Sequence, residues 1–176
     1  DEARVKKPEI DLAVLKLQGM LGRHPVRNRY NLEVLLSLAY FERHFVKMML
    51  GLEEVESLCV RASEAFSERD ARRATGHLAA AHSLVKNILA ERAGMWEKLK
   101  SVWERSRFEK GRSVDGREFV HVLDDLKDHF ADRRPGLEYM LAPYERMDLQ
   151  GWNRKLADFI RSIASSHGLE APRLGE

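Results

Sequence analysis

Apolar side chains recur every three or four positions along most of this chain, and each recurring stripe predicts an amphipathic helix. Apolar residues at 10, 14, 17 and 21 predict a helix over 10–21, closed by Gly19 and Gly22. The charged stretch 1–9, which carries Pro8, reads as a lead-in. From 31 to 67 a seam runs through Phe41, Phe45, Met48, Leu52, Val55, Cys59, Ala62 and Phe66, with Gly51 able to bend or split it. Ser67-Glu68-Arg69-Asp70 has the composition of a turn with capping chemistry. A second seam, Leu78, His82, Val85, Leu89, Arg92, Trp96, Leu99 and Trp103, predicts a helix over 71–108. Two long helices joined by a tight turn make an antiparallel αα-hairpin, and no proline falls between residues 26 and 134 to interrupt it. Shorter helices over 117–134 and 148–167 complete the prediction. The predicted fold is all-α: an antiparallel helical bundle built on the hairpin of 31–67 and 71–108, with shorter helices packed on it. It reads as one domain over 1–176, with a loose tail over 170–176. Because the chain opens on Asp1 rather than Met, it is expected to be cut from a longer protein.

The 117–134 segment breaks the uniform pattern. At 100° per residue Phe119, Leu123, Leu126 and Phe130 form a core stripe, while His121, Asp125, Asp128 and Asp132 gather opposite, flanked by Asp124 and His129. Asp115 and Glu118 have the spacing of an N-terminal capping pair. Imidazole and carboxylates at this spacing could converge on a metal ion. A solvated face, its acids balanced by Arg117, Lys127, Arg133 and Arg134, carries more weight, because charge runs on helices usually face water. Glu118 and His121 form one Glu-x-x-His pair; a di-iron bundle needs two, so that class is set aside.

Composition narrows the picture further. With 44% apolar and 33% charged residues the 176-residue chain is a folded composition, able to bury roughly 70% of its unfolded surface. A net charge of +2 is too balanced to argue for nucleic acid. No apolar run reaches membrane-spanning length and no secretory h-region opens the chain, so a cytoplasmic location without membrane partners is expected. Cys59, the single cysteine, sits at core spacing and reads as an inert thiol. Phosphate-cradling glycine loops, nucleophile elbows, paired cysteines and His-Glu-x-x-His are absent, so no catalytic residue and no cofactor is assigned.

Three smaller features carry competing readings. Arg23, His24, Arg27 and Arg29 could bind an anion, but a basic inter-helix loop is the simpler account. His82 and Arg92 on the second seam could be bundle-core ligands. More often such groups are satisfied by a neighbouring carboxylate or lie along apolar surface by their stems. His44 and His77 have no aligned partners and receive no role. Tyr139, Tyr144 and Trp152 could stack on sugar rings, or could plug the end of the bundle with their polar tips in water, which is the favoured reading.

Two stretches carry a resemblance. RNRYNLEVLLSLAYFERHF (27–45) and WERSRFEKGRSVDGREFVHVLDDLKDHFADRRPGLEYMLAPYE (103–145) resemble the helical region that follows the catalytic barrel in bacterial family 20 glycoside hydrolases, the β-N-acetylhexosaminidase-like enzymes. The resemblance implies a non-catalytic accessory module whose partner is the catalytic domain of the parent protein or a second subunit. The family's catalytic Asp–Glu pair belongs to the barrel and has no counterpart here. A docking surface would then draw on Arg107, Lys110, Arg112, His121, Asp124, Asp125, Asp128, His129, Asp132, Arg133 and Arg134. Two alternatives stand beside it: a stand-alone helical protein with a metal or small-ligand site on His121, Asp125, Asp128 and Asp132, and a helical adaptor or dimerisation domain.

Overall fold

Two antiparallel rods, α2 (Arg29–Ser67) and α3 (Ala71–Trp103), form the frame, and among the described elements they pack on each other most extensively. A computed structural model of the chain describes residues 2–23, 27–103, 105, 113–114, 117–118 and 147–174. Helix α1 (Glu2–Leu21) packs on α2, and α4 (Leu149–Ser166) packs on α3. The described residues form an all-α architecture, as the two periodic seams predict, with one two-residue strand pair beside the helices.

The seams meet as expected except at Phe45, which the spacing places on the α2 seam but which is exposed. Met48, Val55 and Ala62 of α2 face Leu78, Ala81, Val85 and Ile88 of α3, and Leu156, Ile160 and Ile163 of α4 close the same core. Burying side chains of this kind gives about 1.5–3 kcal/mol each for the larger ones. A second cluster, Met95, Trp96 and Leu99, sits towards the other end of α3 against Tyr40, Phe41 and Trp103. Trp96 is the core anchor its spacing predicts. Cys59 is half-buried against the main core, and burial pushes its thiol pKa up, which suits an inert group.

The turn between the rods is built from its own backbone. Asp70 N–H donates to Ala65 O and Arg69 N–H to Phe66 O, a Schellman closure with Arg69 in the left-handed region at φ 61°. The cap on α3 is Asp70, whose Oδ1 accepts from Arg73 N–H at 2.9 Å. The far ends of the rods are tied by Tyr30 Oη, which donates to Val102 O at 3.2 Å, and by Arg105, whose guanidinium bonds Glu33 and lies over the Tyr30 ring.

Four expectations are corrected. Residues 2–9 are not a lead-in but part of α1, which runs through Pro8. Proline forfeits one backbone bond, and the helix is held by its packing on α2, with exposed pairs beside it: Lys6–Glu2 at 3.2 Å, Lys7–Asp11 at 2.8 Å, and Arg4–Glu53 at 2.7 Å onto α2. Helix α3 ends at Trp103 rather than 108, and Arg105 lies in a turn. Residues 117–118 do not begin a helix. They form β2 (Arg117–Glu118), antiparallel to β1 (Ser113–Val114), in the register Ser113↔Glu118 and Val114↔Arg117. Asp115, the cap expected for that helix, lies outside the described residues. Finally, the tail is not loose through 174, because Leu174 is half-buried against the main core.

Candidate functional site

Helix α3 is flanked by two clefts, each with a buried histidine in its wall. The first, about 370 Å³, lies between α2 and α3 and is lined by Tyr40, Arg43, His44, Lys47, Glu91, Gly94, Met95 and Lys98. Lys47 Nζ reaches Glu91 across it at 3.5 Å, and the cations of Arg43 and Lys98 lie 5.0 and 6.0 Å from the Tyr40 ring centre. His44 is 5% exposed and its Nε2 has no partner. Burial holds its pKa below the ordinary value, Glu91 pulls it back up, and Arg92 and Lys47 push it further down.

The second cleft, about 400 Å³, lies between α3 and α4. Its walls include His82, Lys86 and Leu89 of α3, Asn153, Arg154, Ala157, Asp158 and Arg161 of α4, and Leu174 of the tail. His82 and Asn153 are each 7% exposed, and neither His82 Nδ1 nor Asn153 Oδ1 has a partner. Burial lowers the pKa of His82, with Lys86 and Arg161 adding to the effect. A carboxylate to satisfy His82, expected from the sequence, is not what the fold supplies to its Nδ1. A neutral imidazole without an orienting carboxylate suits binding rather than proton transfer. Helix α4 presents its polar groups here because Asp148 fixes where it starts: in the left-handed region at φ 43°, its Oδ1 accepts from Gly151 N–H at 3.0 Å.

A third surface is apolar. Leu35, Leu38, Phe45 and Met49 share one face of α2 at 100° per residue and are exposed, Phe45 by 45% and Met49 by 44%. A groove of about 300 Å³ runs beside Phe45 and Met49, with Glu2, Ala3 and Lys6 of α1 on its other bank. Leu12 and Leu15 of α1 are exposed as well.

The sequence-derived site falls mostly elsewhere. Arg107, Lys110, Arg112, His121, Asp124, Asp125, Asp128, His129, Asp132, Arg133, Arg134, Tyr139 and Tyr144 lie outside the described residues. Trp152 is described and stands 39% exposed at the edge of the buried face of α4, with Phe159 on the same side. In the basic loop, Arg29 donates to Leu21 O and pairs with Glu33, a helix-joining role, while Arg23 and Arg27 are exposed and His24 lies outside the described residues. Arg92 is half-buried. Among the described residues no three His, Cys, Asp or Glu side chains gather as metal ligands, and no helix is long and apolar enough to cross a membrane. Sequence reasoning missed His44 and Asn153. His44 sits three residues after Phe41 and four before Met48, so its helical register with the seam was the available signal.

Comparison with protein-family models, with curated proteins and with solved structures returns no match.

Proposed function

We propose that this chain is a non-catalytic helical module that docks on another folded domain through the exposed apolar face of α2 and the adjoining groove against α1. The carrying observation is that face itself: Leu35, Leu38, Phe45 and Met49 stand in water on a helix whose opposite side already fills the core. A rigid αα-hairpin presents such a stripe without reorganising, which lowers the cost of association. The resemblance of 27–45 and 103–145 supports a specific partner, the catalytic barrel of a β-N-acetylhexosaminidase-like glycoside hydrolase, carried in the parent protein or a second subunit. A cytoplasmic location belongs to the same reading.

The test is a binding measurement between this chain and such a barrel, together with a hexosaminidase assay on the chain alone. Saturable binding is expected, weakened at least tenfold by Phe45→Glu with Met49→Glu, since an apolar contact is replaced by a desolvated charge. No turnover of a chromogenic N-acetylglucosaminide is expected. Turnover would end the non-catalytic assignment. Self-association through the same face, without binding to the barrel, would replace the glycosidase partner with a dimerisation role.

A further inference from the structure

The α3–α4 cleft carries a second, independent assignment: we propose that it binds a small anion bearing a hydroxyl group, of the size of a sugar phosphate or hydroxy acid. His82 and Asn153 line the cleft from different helices, each more than nine-tenths buried, and in each one buried polar atom has no partner. Buried polar groups are almost always paired, so two orphans in one cavity mark a missing partner. The pair is chemically complementary. A neutral imidazole protonated at Nδ1 donates, and the Asn153 amide oxygen accepts. One ligand hydroxyl satisfies both, accepting from His82 and donating to Asn153. Burial and the nearby cations hold His82 in the neutral form that this requires.

The rim supplies the charge preference. Lys86, Arg154 and Arg161 border the cleft against one carboxylate, Asp158, which pairs with Arg161 at 2.9 Å. Arg154 and Arg161 offer the forked donors that suit phosphate or carboxylate. Leu89, Ala157 and Leu174 provide apolar surface for the ligand body. A cavity of about 400 Å³ is within the range of small-molecule sites.

The full chain should be titrated with glucose 6-phosphate, gluconate, inorganic phosphate and glucose, following heat and the ring and amide nitrogen resonances of His82 and Asn153. Saturation by glucose 6-phosphate or gluconate is expected, with both residues shifting, and the tighter of the two identifies phosphate or carboxylate as the head group. Inorganic phosphate and glucose, each lacking half of the recognition, should bind about tenfold more weakly or worse. Arg154→Gln, at an exposed position, should weaken glucose 6-phosphate at least about fivefold without changing the melting temperature. Asn153→Ala should remove the advantage of glucose 6-phosphate over inorganic phosphate. Failure of every probe to saturate overturns the site, leaving a bound water as the bridge between His82 and Asn153. Glucose binding as tightly as its phosphate, or indifference to Arg154→Gln, overturns the anion assignment. Inorganic phosphate binding as tightly overturns the hydroxyl assignment.

Discussion

A methyl-sized group placed on Gly51 of α2 would sit 2.8 Å from Cδ1 of Ile88 on α3, so the two rods meet there methyl against bare backbone. The glycine that the sequence offers as a possible break lies inside an unbroken 39-residue helix. Its role is close packing. Gly51→Ala gains helix propensity, about 1 kcal/mol, but overpacks a filled interface, at a cost of about 1–3 kcal/mol. A net loss of about 1 kcal/mol is expected in urea denaturation. Ile88→Val removes the offending methyl and should partly rescue the alanine variant. A double-mutant cycle that is strictly additive would refute the contact.

Arg69 closes the hairpin turn with a side chain in a conformation that favours glycine, at φ 61°. The equivalent position after α4 is Gly168, at φ 63°, with the same Schellman bonding: Leu169 N–H to Ala164 O and Gly168 N–H to Ser165 O. Arg69→Gly should therefore stabilise the protein by about 0.5–1 kcal/mol, even though glycine adds freedom to the unfolded chain. Calorimetry would show a higher melting temperature, and an unchanged or lower one would mean that the turn carries no strain.

What could be read in advance follows from which forces act locally. The seams of α2 and α3 were legible because burial imposes a 3.6-residue period on sequence, and both run as that period requires apart from Phe45, which is exposed. Helix α1 before residue 10 was not legible. Pro8 reads as a stop, whereas Arg4–Glu53 and packing on α2 are tertiary, with no periodic trace. The pairing of 113–114 with 117–118 was hidden because two residues are too few for alternation. The α3–α4 cleft was half legible. His82 stood out on an apolar seam, but Asn153 belongs to another helix, and only packing brings the two together.

The start of α4 depends on two residues acting as one device. Asp148 accepts from Gly151 N–H, and any side chain at 151 would overlap the Asp148 carboxylate. Asp148→Ala should cost about 1 kcal/mol, the usual worth of such a cap. Gly151→Ala should cost a similar amount by displacing the same carboxylate. The double variant should be little worse than either, because the second change finds the cap already lost. Full additivity in guanidinium denaturation would show that the two act separately.

The two buried histidines give stability a definite pH dependence. Folding lowers both pKa values below the unfolded value of about 6.5, chiefly by taking the imidazoles out of water. At His44 burial leads, Glu91 opposes it, and Arg92 and Lys47 add to it; at His82 burial leads, and Lys86 and Arg161 add to it. Between the folded and unfolded pKa values the unfolded chain holds the extra protons, so stability rises with pH across that window. It should be full above the unfolded value, fall as pH drops through the histidine range, and level off once both states are protonated. Glu33 acts at lower pH, since its bonds to Arg105 and Arg29 depress its pKa and are lost only as the carboxylate protonates. Urea midpoints compared at about pH 7.5 and about pH 5.5 therefore isolate the histidines. The midpoint should be lower at the acid value, and His44→Gln with His82→Gln should flatten the difference. A wild-type midpoint that is level across the two pH values would show that neither imidazole is held neutral by the fold.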